Sequence, residues 1–235
     1  MTQTIDTPSN VFATLNPLNS FYSGATFSNG NLKITTTAGQ YAPAQSTIGF
    51  STGKWYAEFK ATDVDNWTMV GIVGQNATAT SDWIGKKADG YAYIGGSSAG
   101  GVNSKMNNNI SSTYASTYVD GDIISVAVDC DNNYIYFGLN GTWLNSGNPE
   151  SGASGTGSAF TISSTPASGF YYFAVGNYSG SQTPDWEANF GNGYFGTTAV
   201  SSAQNPDDGI GIFEYAVPSG YKALCTKSIN AQEYD

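Results

Sequence analysis

The sequence predicts an all-β protein, a single antiparallel β-sandwich with little helix. Three observations support this fold class. Strand-length runs of apolar or alternating residues follow one another at short spacing along the chain. The stretches between them are rich in Asn, Asp and Gly, and the chain contains 29 glycines. No segment shows the apolar period of an amphipathic helix.

The first predicted strands lie in the N-terminal quarter. An Asn-Gly pair at residues 29–30, a strong hairpin signal, leads into an alternating strand over Leu32–Thr35. The next strand, Lys54–Lys60, alternates so that Trp55 and its same-face neighbours pack in the core. Glu58 lies on the opposite face, which we expect to be exposed to solvent.

The middle of the chain carries the strongest strand signals. Thr68–Gly74 is a nearly continuous apolar run of the kind buried inside a sandwich, and Gly90–Ile94 follows it after a loop. Gly95–Gly101 is a flexible tip. Gly121–Asp129 and Tyr134–Leu139 are joined by a short Asp/Asn turn and predict a hairpin.

The C-terminal part alternates loops with shorter strands. A Gly/Ser/Pro-rich loop, Ser146–Ser158, precedes the strand Phe170–Val175. A second loop, Asn177–Glu187, leads to a short strand over Ala188–Gly191. The tail, Gly209–Ile229, contains aromatic and aliphatic residues that we expect to pack on the sandwich.

We interpret the whole chain, residues 1–235, as one domain, because no internal repeat and no linker divides it. Residues 1–52 form N-terminal strands and an attachment segment. Residues 53–191 form the core of the sandwich, and the C-terminal residues 192–235 pack on it.

Composition excludes several function classes. The net charge is −10 and the eight Lys and Arg residues are scattered, which argues against nucleic acid and against anionic membranes as partners. No signal peptide and no apolar run long enough for membrane insertion is visible, so synthesis in a cytoplasm is expected. The two cysteines, Cys130 and Cys225, are therefore expected to be free thiols. The chain contains no histidine, which removes the Ser-His and Cys-His nucleophile pairs.

Carboxylates are the catalytic groups that remain, because a glycosidase needs only a pair of Asp or Glu residues. The candidates are Glu58, Asp63, Asp65, Asp129, Asp131, Glu187, Asp207 and Asp208. Most lie where turns are predicted, and Asp at a turn bonds its own backbone. Residues 129–133 resemble the start of a calcium loop, but Tyr134 replaces the glycine of an EF-hand. We therefore expect no enzyme activity, no cofactor and no dedicated metal site, while adventitious calcium binding at the turns stays open.

Aromatic residues in the predicted loops are candidates for recognition, since aromatic rings stack on sugars or fill pockets in a protein partner. The candidate partner-binding residues are Asn66, Trp67, Trp83, Tyr91, Asn140, Trp143, Tyr178 and Trp186. The alternative is that each ring packs over the base of its own loop.

The order of motifs resembles the SPRY (B30.2-like) domain family. The matching segments are Gly53–Phe59, Gly71-Ile72, Gly121–Ile124, Asp129–Gly141 and Asn189–Gly191. This resemblance implies a concanavalin-like jelly-roll sandwich that binds partners through loops at one edge, without catalysis. Ala57 stands where the family often has a second Trp, and Gly138 where a Lys or Arg is common. Partner specificity is therefore not carried over from the family.

The flanks, Asp6–Leu18 and Pro218–Thr226, resemble those of SPRY proteins encoded by tailed bacteriophages. This similarity favours a non-enzymatic virion structural protein that decorates the capsid through contacts with other virion proteins, as a monomer or a homo-oligomer. The alternative is a tail-associated receptor-binding protein that recognises a host-surface glycan or protein. A carboxylate-dependent glycan hydrolase is the third hypothesis.

Overall fold

The computed structural model describes residues 6–7, 9–19, 25–36, 43–74, 82–96, 104–178 and 183–234. The strands in these ranges are β1 (Ala25–Ser28), β2 (Lys33–Thr36), β3 (Ala44–Gln45), β4 (Lys54–Asp63), β5 (Thr68–Val73), β6 (Gly90–Gly95), β7 (Ser104–Asn107), β8 (Ile110–Thr113), β9 (Ile123–Asp129), β10 (Tyr134–Leu139), β11 (Thr142–Trp143), β12 (Phe160–Thr161), β13 (Tyr172–Asn177), β14 (Asp185–Asn189), β15 (Tyr194–Phe195), β16 (Thr198–Ala199) and β17 (Lys222–Ala223). An α-helix, α1, covers Thr226–Tyr234, and short 3-10 turns cover Pro17–Asn19, Leu144–Ser146 and Pro149–Ser154.

Two large sheets form the sandwich. The nine-stranded sheet has the order β1-β2-β14-β4-β9-β10-β11, with β12 also paired to β10 and β17 to β4. The six-stranded sheet has the order β3-β13-β5-β6-β7-β8, and β15 and β16 form a small separate hairpin. The strands of the two large sheets pair antiparallel except for β17, which runs parallel to β4.

The main core lies between the two large sheets, because alternate residues of each central strand point inward. Phe59 of β4 and Phe173 of β13 have ring centroids 6.1 Å apart, and both rings also contact Phe190. Trp55 lies on the same face of β4 and packs against Phe50. The prediction of an all-β sandwich with an inward Trp55 face is confirmed.

The predicted central strands are observed with small shifts at their ends. The hairpin of β7 and β8 has no counterpart among the strands that the sequence predicts, because its strands are short and mostly polar. Most of the predicted flexible tip, residues 97–101, lies outside the described residues.

Residues 209–225, which we call the C-terminal segment, cover the outer face of the nine-stranded sheet. Phe213 and Tyr221 of this segment pack in a second core cluster with Tyr56 of β4 and Tyr136 of β10. The rings of Tyr56 and Phe213 meet edge to face with centroids 4.9 Å apart. Phe213 and Tyr221 therefore hold this segment on the sandwich.

Residues 11–13 pair with residues 224–226. The backbone N–H of Ala13 donates to the carbonyl of Leu224 at 2.9 Å, and the N–H of Thr226 donates to the carbonyl of Val11 at 3.0 Å. The Asp6 carboxylate accepts the backbone N–H of Phe12 at 2.9 Å. Backbone hydrogen bonds thus join the two flanks of the sandwich.

Within the ranges that the structure describes, α1 is nine residues long, and no helix is long and apolar enough to cross a membrane.

Candidate functional site

The structure brings together three of the eight predicted partner-binding residues. Trp67 follows the end of β4, Trp83 precedes β6, and Tyr178 follows β13, yet their rings meet. The ring centroids of Trp67 and Tyr178 are 4.8 Å apart at an angle of 45°, and those of Trp83 and Tyr178 are 4.4 Å apart at 87°. We call these three residues the aromatic cluster.

The aromatic cluster lies against the outer face of the six-stranded sheet. Beneath it are buried apolar residues of the central strands, including Met69 of β5, Ile94 of β6 and Ala174 of β13. Trp67, Trp83 and Tyr178 themselves are only half-buried. The sheet thus supports a platform of aromatic surface that is partly open to solvent, as recognition through aromatic rings requires.

The backbone at Trp67 is in the left-handed region, with φ = 63°. The other described non-glycine residues with positive φ are asparagines and Ser146. A bulky side chain in this conformation is a genuine outlier that costs of order 1–3 kcal/mol. Two hydrogen bonds hold this conformation. The Tyr178 N–H donates to the Trp67 carbonyl at 3.1 Å, and the Thr68 hydroxyl donates to the Asp65 carbonyl at 2.6 Å.

Two lysines beside the aromatic cluster share one carboxylate. The Lys86 ammonium lies 4.8 Å from the centroid of the Trp83 ring, a cation–π contact. The same ammonium pairs with Asp82 at 3.1 Å, and Lys87 lies 3.8 Å from the other oxygen of that carboxylate. Asn66, the fourth candidate at this place, precedes Trp67 in the turn and is half-buried.

Asn140 and Trp143 lie at a different place, on the hairpin of β10 and β11. Asn140 and Gly141 both have positive φ, which fits a type I′ turn. The Asn140 side chain accepts the backbone N–H of Ile123 at 2.9 Å and donates to Asp122 at 2.7 Å. Trp143 is half-buried with its ring edge-on to Tyr56, at 6.4 Å. Asn140 thus has a turn-forming role, and neither residue joins the aromatic cluster.

Tyr91 and Trp186 are core residues, so their assignment to partner-binding loops is wrong. Tyr91 lies on the inner face of β6, and its hydroxyl accepts the backbone N–H of Ser163. Trp186 lies in β14 with 1% of its surface exposed and packs against Tyr118 at 5.7 Å. The alternation of Trp186, Ala188 and Phe190 is the signal that reveals the strand.

Glu58 is fully buried, so the expectation of an exposed carboxylate is wrong. Alternation did place it on the outer face of β4, but the C-terminal segment covers that face. One carboxylate oxygen accepts the backbone N–H of Tyr215 at 2.9 Å, and the other accepts that of Glu214 at 2.8 Å. Tyr56 and Asn189 donate from their side chains at 2.9 and 3.3 Å.

Burial raises the pKa of Glu58 to about 7, although the four hydrogen bonds act in the opposite direction. The Tyr56 hydroxyl lies 2.9 Å from both the Glu58 carboxylate and the Ser125 hydroxyl. It can therefore donate to an ionised Glu58, or accept from a protonated one while donating to Ser125. A group with no exposed surface has no access to a substrate, so we assign Glu58 a structural role.

Asn189, the first residue of the late Asn-Phe-Gly motif, organises the same place. Its side-chain oxygen accepts the backbone N–H groups of Gly191 and Gly193 at 2.9 and 3.1 Å. Its amide also donates to the carbonyl of Ile212 at 3.1 Å. Gly191 has φ = 118°, and a Cβ there would lie 2.6 Å from the ring of Phe12. The motif is thus required for the fold.

Structural hydrogen bonds account for most of the other carboxylates, and three of them join segments that are distant in sequence. Asp65 accepts the Thr183 N–H, Asp131 accepts the Gly53 N–H, and Asp207 accepts the Gly220 N–H. Asp129 accepts both the N–H and the amide of Asn132, and it pairs with Lys54 at 3.4 Å. Asp208 accepts the backbone N–H of Ile210, and Glu187 pairs with Lys33 at 3.4 Å. Burial and the neighbouring Asp residues raise the pKa of Asp63.

The described residues contain no group of three or more His, Cys, Asp or Glu side chains suited to a metal ion. Cys130 and Cys225 are free thiols, as predicted. Burial, together with Asp131 and Asp129, raises the pKa of the Cys130 thiol above its usual range.

The comparisons with known proteins agree with this architecture. The model of the SPRY domain family matches residues 54–184, more than half of the chain. The crystal structure of the SPRY domain of human HERC1 is similar, with a TM-score of 0.55 and 19% sequence identity. That match covers 74% of this chain and 96% of the HERC1 chain, and at this identity it shows a shared fold. No curated protein sequence matches this chain.

Proposed function

Because the chain belongs to the SPRY domain family, a family of protein-binding domains, we propose that it is a non-enzymatic binding protein that contacts its partner through the aromatic cluster. More specifically, we propose that it is a bacteriophage virion structural protein that decorates the capsid.

The observation that carries the binding proposal is the geometry of Trp67, Trp83 and Tyr178. Three segments distant in sequence present their rings side by side on a rigid sheet. Trp and Tyr are the residue types enriched at binding hot spots, because they offer large contact area with little loss of conformational entropy. The strained backbone of Trp67 supports a functional role, since such strain concentrates at functional sites.

Two observations support a function without catalysis. Glu58, the carboxylate with the most perturbed pKa, is fully buried and bonded to four donors. Asp65, Asp131 and Asp207 each accept a backbone N–H from a segment distant in sequence, as expected for structural residues. A glycosidase, by contrast, needs a carboxylic acid and a carboxylate that have separated pKa values and that a substrate can reach.

The flanks support the virion proposal. Their sequences, Asp6–Leu18 and Pro218–Thr226, resemble those of SPRY proteins from tailed phages. A single sandwich with an acidic surface also suits a protein that must stay dissolved at high copy number before assembly.

A tail-associated receptor-binding protein is the second candidate function. The aromatic cluster favours this function because aromatic faces stack on sugar rings. In that case the ligand is a glycan or protein of the host surface, and the N-terminal segment, residues 1–52, attaches the domain to a tail component.

The copy number of the chain relative to the major capsid protein tests these proposals. Quantitative mass spectrometry is applied to purified particles of the phage that encodes it. A ratio approaching that of the capsid lattice supports decoration. A few copies per particle would favour receptor binding at the tail, and absence from particles would overturn the virion assignment while leaving the SPRY binding role.

A further inference from the structure

The sequence contains three Asn-Gly pairs, at residues 29–30, 140–141 and 192–193. Asparagine before glycine is open to an intramolecular reaction, because glycine has no Cβ to keep its backbone nitrogen away from the asparagine side chain. That nitrogen attacks the side-chain carbonyl carbon and forms a C–N bond, while the amide nitrogen leaves as ammonia. Water then opens the succinimide ring and gives aspartate or isoaspartate. The fold treats the three pairs differently.

Asn29 and Gly30 lie at the tip of the hairpin of β1 and β2. Ser28 pairs with Lys33 across the loop, and Asn29 and Gly30 have φ = 53° and 68°. Asn29 is half-buried, Gly30 is exposed, and a Cβ on Gly30 would meet no atom within 4 Å. Among the described residues, none bonds the Asn29 side chain or accepts from the Gly30 N–H. Neither reacting group is therefore held away from the other.

The pair at residues 140–141 is held in place. The Asn140 side chain accepts the N–H of Ile123 at 2.9 Å and donates to Asp122 at 2.7 Å. A Cβ on Gly141 would lie 2.7 Å from the ring of Tyr215, so this turn is packed against the C-terminal segment. The Asn140 side chain can turn towards the Gly141 nitrogen only after both of its hydrogen bonds break.

The pair at residues 192–193 is protected at the attacking atom. The Gly193 N–H donates to the side-chain oxygen of Asn189 at 3.1 Å, so the nitrogen that would react is already bonded. Asn192 has only 7% of its surface exposed, and its amide donates to the carbonyl of Tyr194 at 3.4 Å. Water therefore reaches this side chain poorly, and the reaction requires a larger opening of the fold.

We propose that Asn29 is a site of spontaneous deamidation in the folded protein, whereas Asn140 and Asn192 are protected by the structure. The turn at Asn29 has to open locally before the Gly30 nitrogen reaches the side-chain carbonyl carbon. An exposed hairpin tip opens at a lower free-energy cost than a packed turn does. Water is the only other reactant, so the reaction requires neither an enzyme nor a cofactor.

The modification is expected to loosen β1. A Cβ on Gly196 would touch both the Asn29 amide and the Glu187 carboxylate, so these two groups lie close together. Glu187 also pairs with Lys33 at 3.4 Å. A carboxylate at position 29 repels Glu187, and isoaspartate adds a methylene to the main chain of the turn. Both changes oppose the one-to-one register of β1 on β2.

Peptide mapping by mass spectrometry tests this inference on the wild-type chain, incubated at mildly alkaline pH either folded or in urea. Each conversion is read from the mass gain when OH replaces the side-chain NH₂, and enzymatic methylation detects isoaspartate. In urea we expect similar rates at the three sites, because glycine follows each asparagine. In the folded chain we expect Asn29 to convert about tenfold faster than Asn140 or Asn192, or more.

Asn29→Gly is the matched variant, because glycine keeps the left-handed backbone and removes the reacting amide. It should abolish most of the isoaspartate formed by the folded chain. Equal rates at Asn29 and at either other site in the folded chain would overturn the proposal. So would an Asn29 that converts in urea but stays intact in the folded chain, or isoaspartate that Asn29→Gly leaves unchanged.

Hydrogen exchange measures the consequence for β1. Anion exchange separates the deamidated chain from the intact one, because deamidation adds a negative charge. We expect the amides of residues 25–28 and 33–36, which form β1 and β2, to exchange faster in the deamidated chain. Equal exchange in the two forms would overturn the loosening of β1.

Discussion

The carboxylate of Glu58, in the middle of β4, accepts a 2.9 Å hydrogen bond from the backbone N–H of Tyr215, which lies 157 residues later in the chain. Its other oxygen accepts the N–H of Glu214. Both donors belong to the C-terminal segment, so Glu58 fastens that segment to the nine-stranded sheet. None of the ion pairs between described residues involves Glu58, so hydrogen bonds alone satisfy it.

Replacing Glu58 is expected to destabilise the protein. Glu58→Ala leaves buried donors from Tyr215, Glu214 and Asn189 without an acceptor, and we expect the free energy of unfolding to fall by about 3 kcal/mol or more. Glu58→Gln keeps the shape but turns an N–H₂ group towards one of these donors, which costs about 1–3 kcal/mol. Urea denaturation measures both changes. Glu233→Gln, at an exposed position of α1, is the control and is expected to change little.

Stability is also expected to depend on pH through Glu58. In the folded chain its pKa is about 7, against an ordinary value of 4.5, so the folded state binds more protons between these two values. The free energy of unfolding therefore falls as pH rises from 4.5 to 7, by up to about 3 kcal/mol. The contribution is fully present below pH 4.5.

Denaturation of the wild type and of Glu58→Gln at several pH values isolates this effect. Glutamine does not titrate, so the difference in stability between the two proteins should vary across the window from 4.5 to 7. A constant difference would show that the carboxylate of Glu58 has the same pKa in the folded and unfolded chains.

The sandwich was predictable from sequence because its central strands carry an unbroken local signal. In Lys54–Asp63, for example, alternation alone identifies Trp55 as a core residue. The burial of Glu58 was not predictable in the same way. It depends on a segment more than 150 residues away, and alternation shows which face a residue occupies without showing whether another part of the chain covers that face.

The candidate site was only partly predictable, because it too depends on contacts between distant segments. Trp67, Trp83 and Tyr178 were recognised singly as loop aromatics, but only the packing of β5, β6 and β13 brings them together. Trp186 was placed in a loop because its strand, β14, is short and begins directly after Pro184. The burial of its aromatic ring follows from the pairing of β14 with both β2 and β4.

Trp143 and Trp186, which both lie outside the aromatic cluster, are expected to differ sharply in their effect on stability. Trp186→Ala empties a buried volume beside Tyr118 and should lower the free energy of unfolding by about 3–5 kcal/mol. Trp143→Ala removes a half-buried ring and one edge contact with Tyr56, so about 1 kcal/mol is expected. Denaturation midpoints of the two variants give the comparison. Similar losses would contradict the assignment of Trp186 to the core.

Binding through the aromatic cluster is best tested with a change that removes a ring without straining the chain. Asparagine occupies most of the other left-handed non-glycine positions, so Trp67→Asn suits the backbone at φ = 63° while it removes the indole. Trp83→Ala removes the second ring. Trp143→Ala is the control, because Trp143 is half-buried on another hairpin.

The proposed virion role supplies the probe, a phage particle assembled without the chain, and binding of added purified chain is measured by co-sedimentation. Trp67→Asn and Trp83→Ala are each expected to weaken binding by about 2 kcal/mol, roughly thirtyfold, as loss of a hot-spot aromatic does. Trp143→Ala should bind like the wild type. In Trp67→Asn, relief of the backbone strain is expected to offset the packing lost with the half-buried ring, so urea denaturation should show little net change in stability and reduced binding then reports contact and not unfolding. Wild-type affinity in both cluster variants would place the contact elsewhere on the sandwich, and equal losses in all three would point to a general effect on the fold.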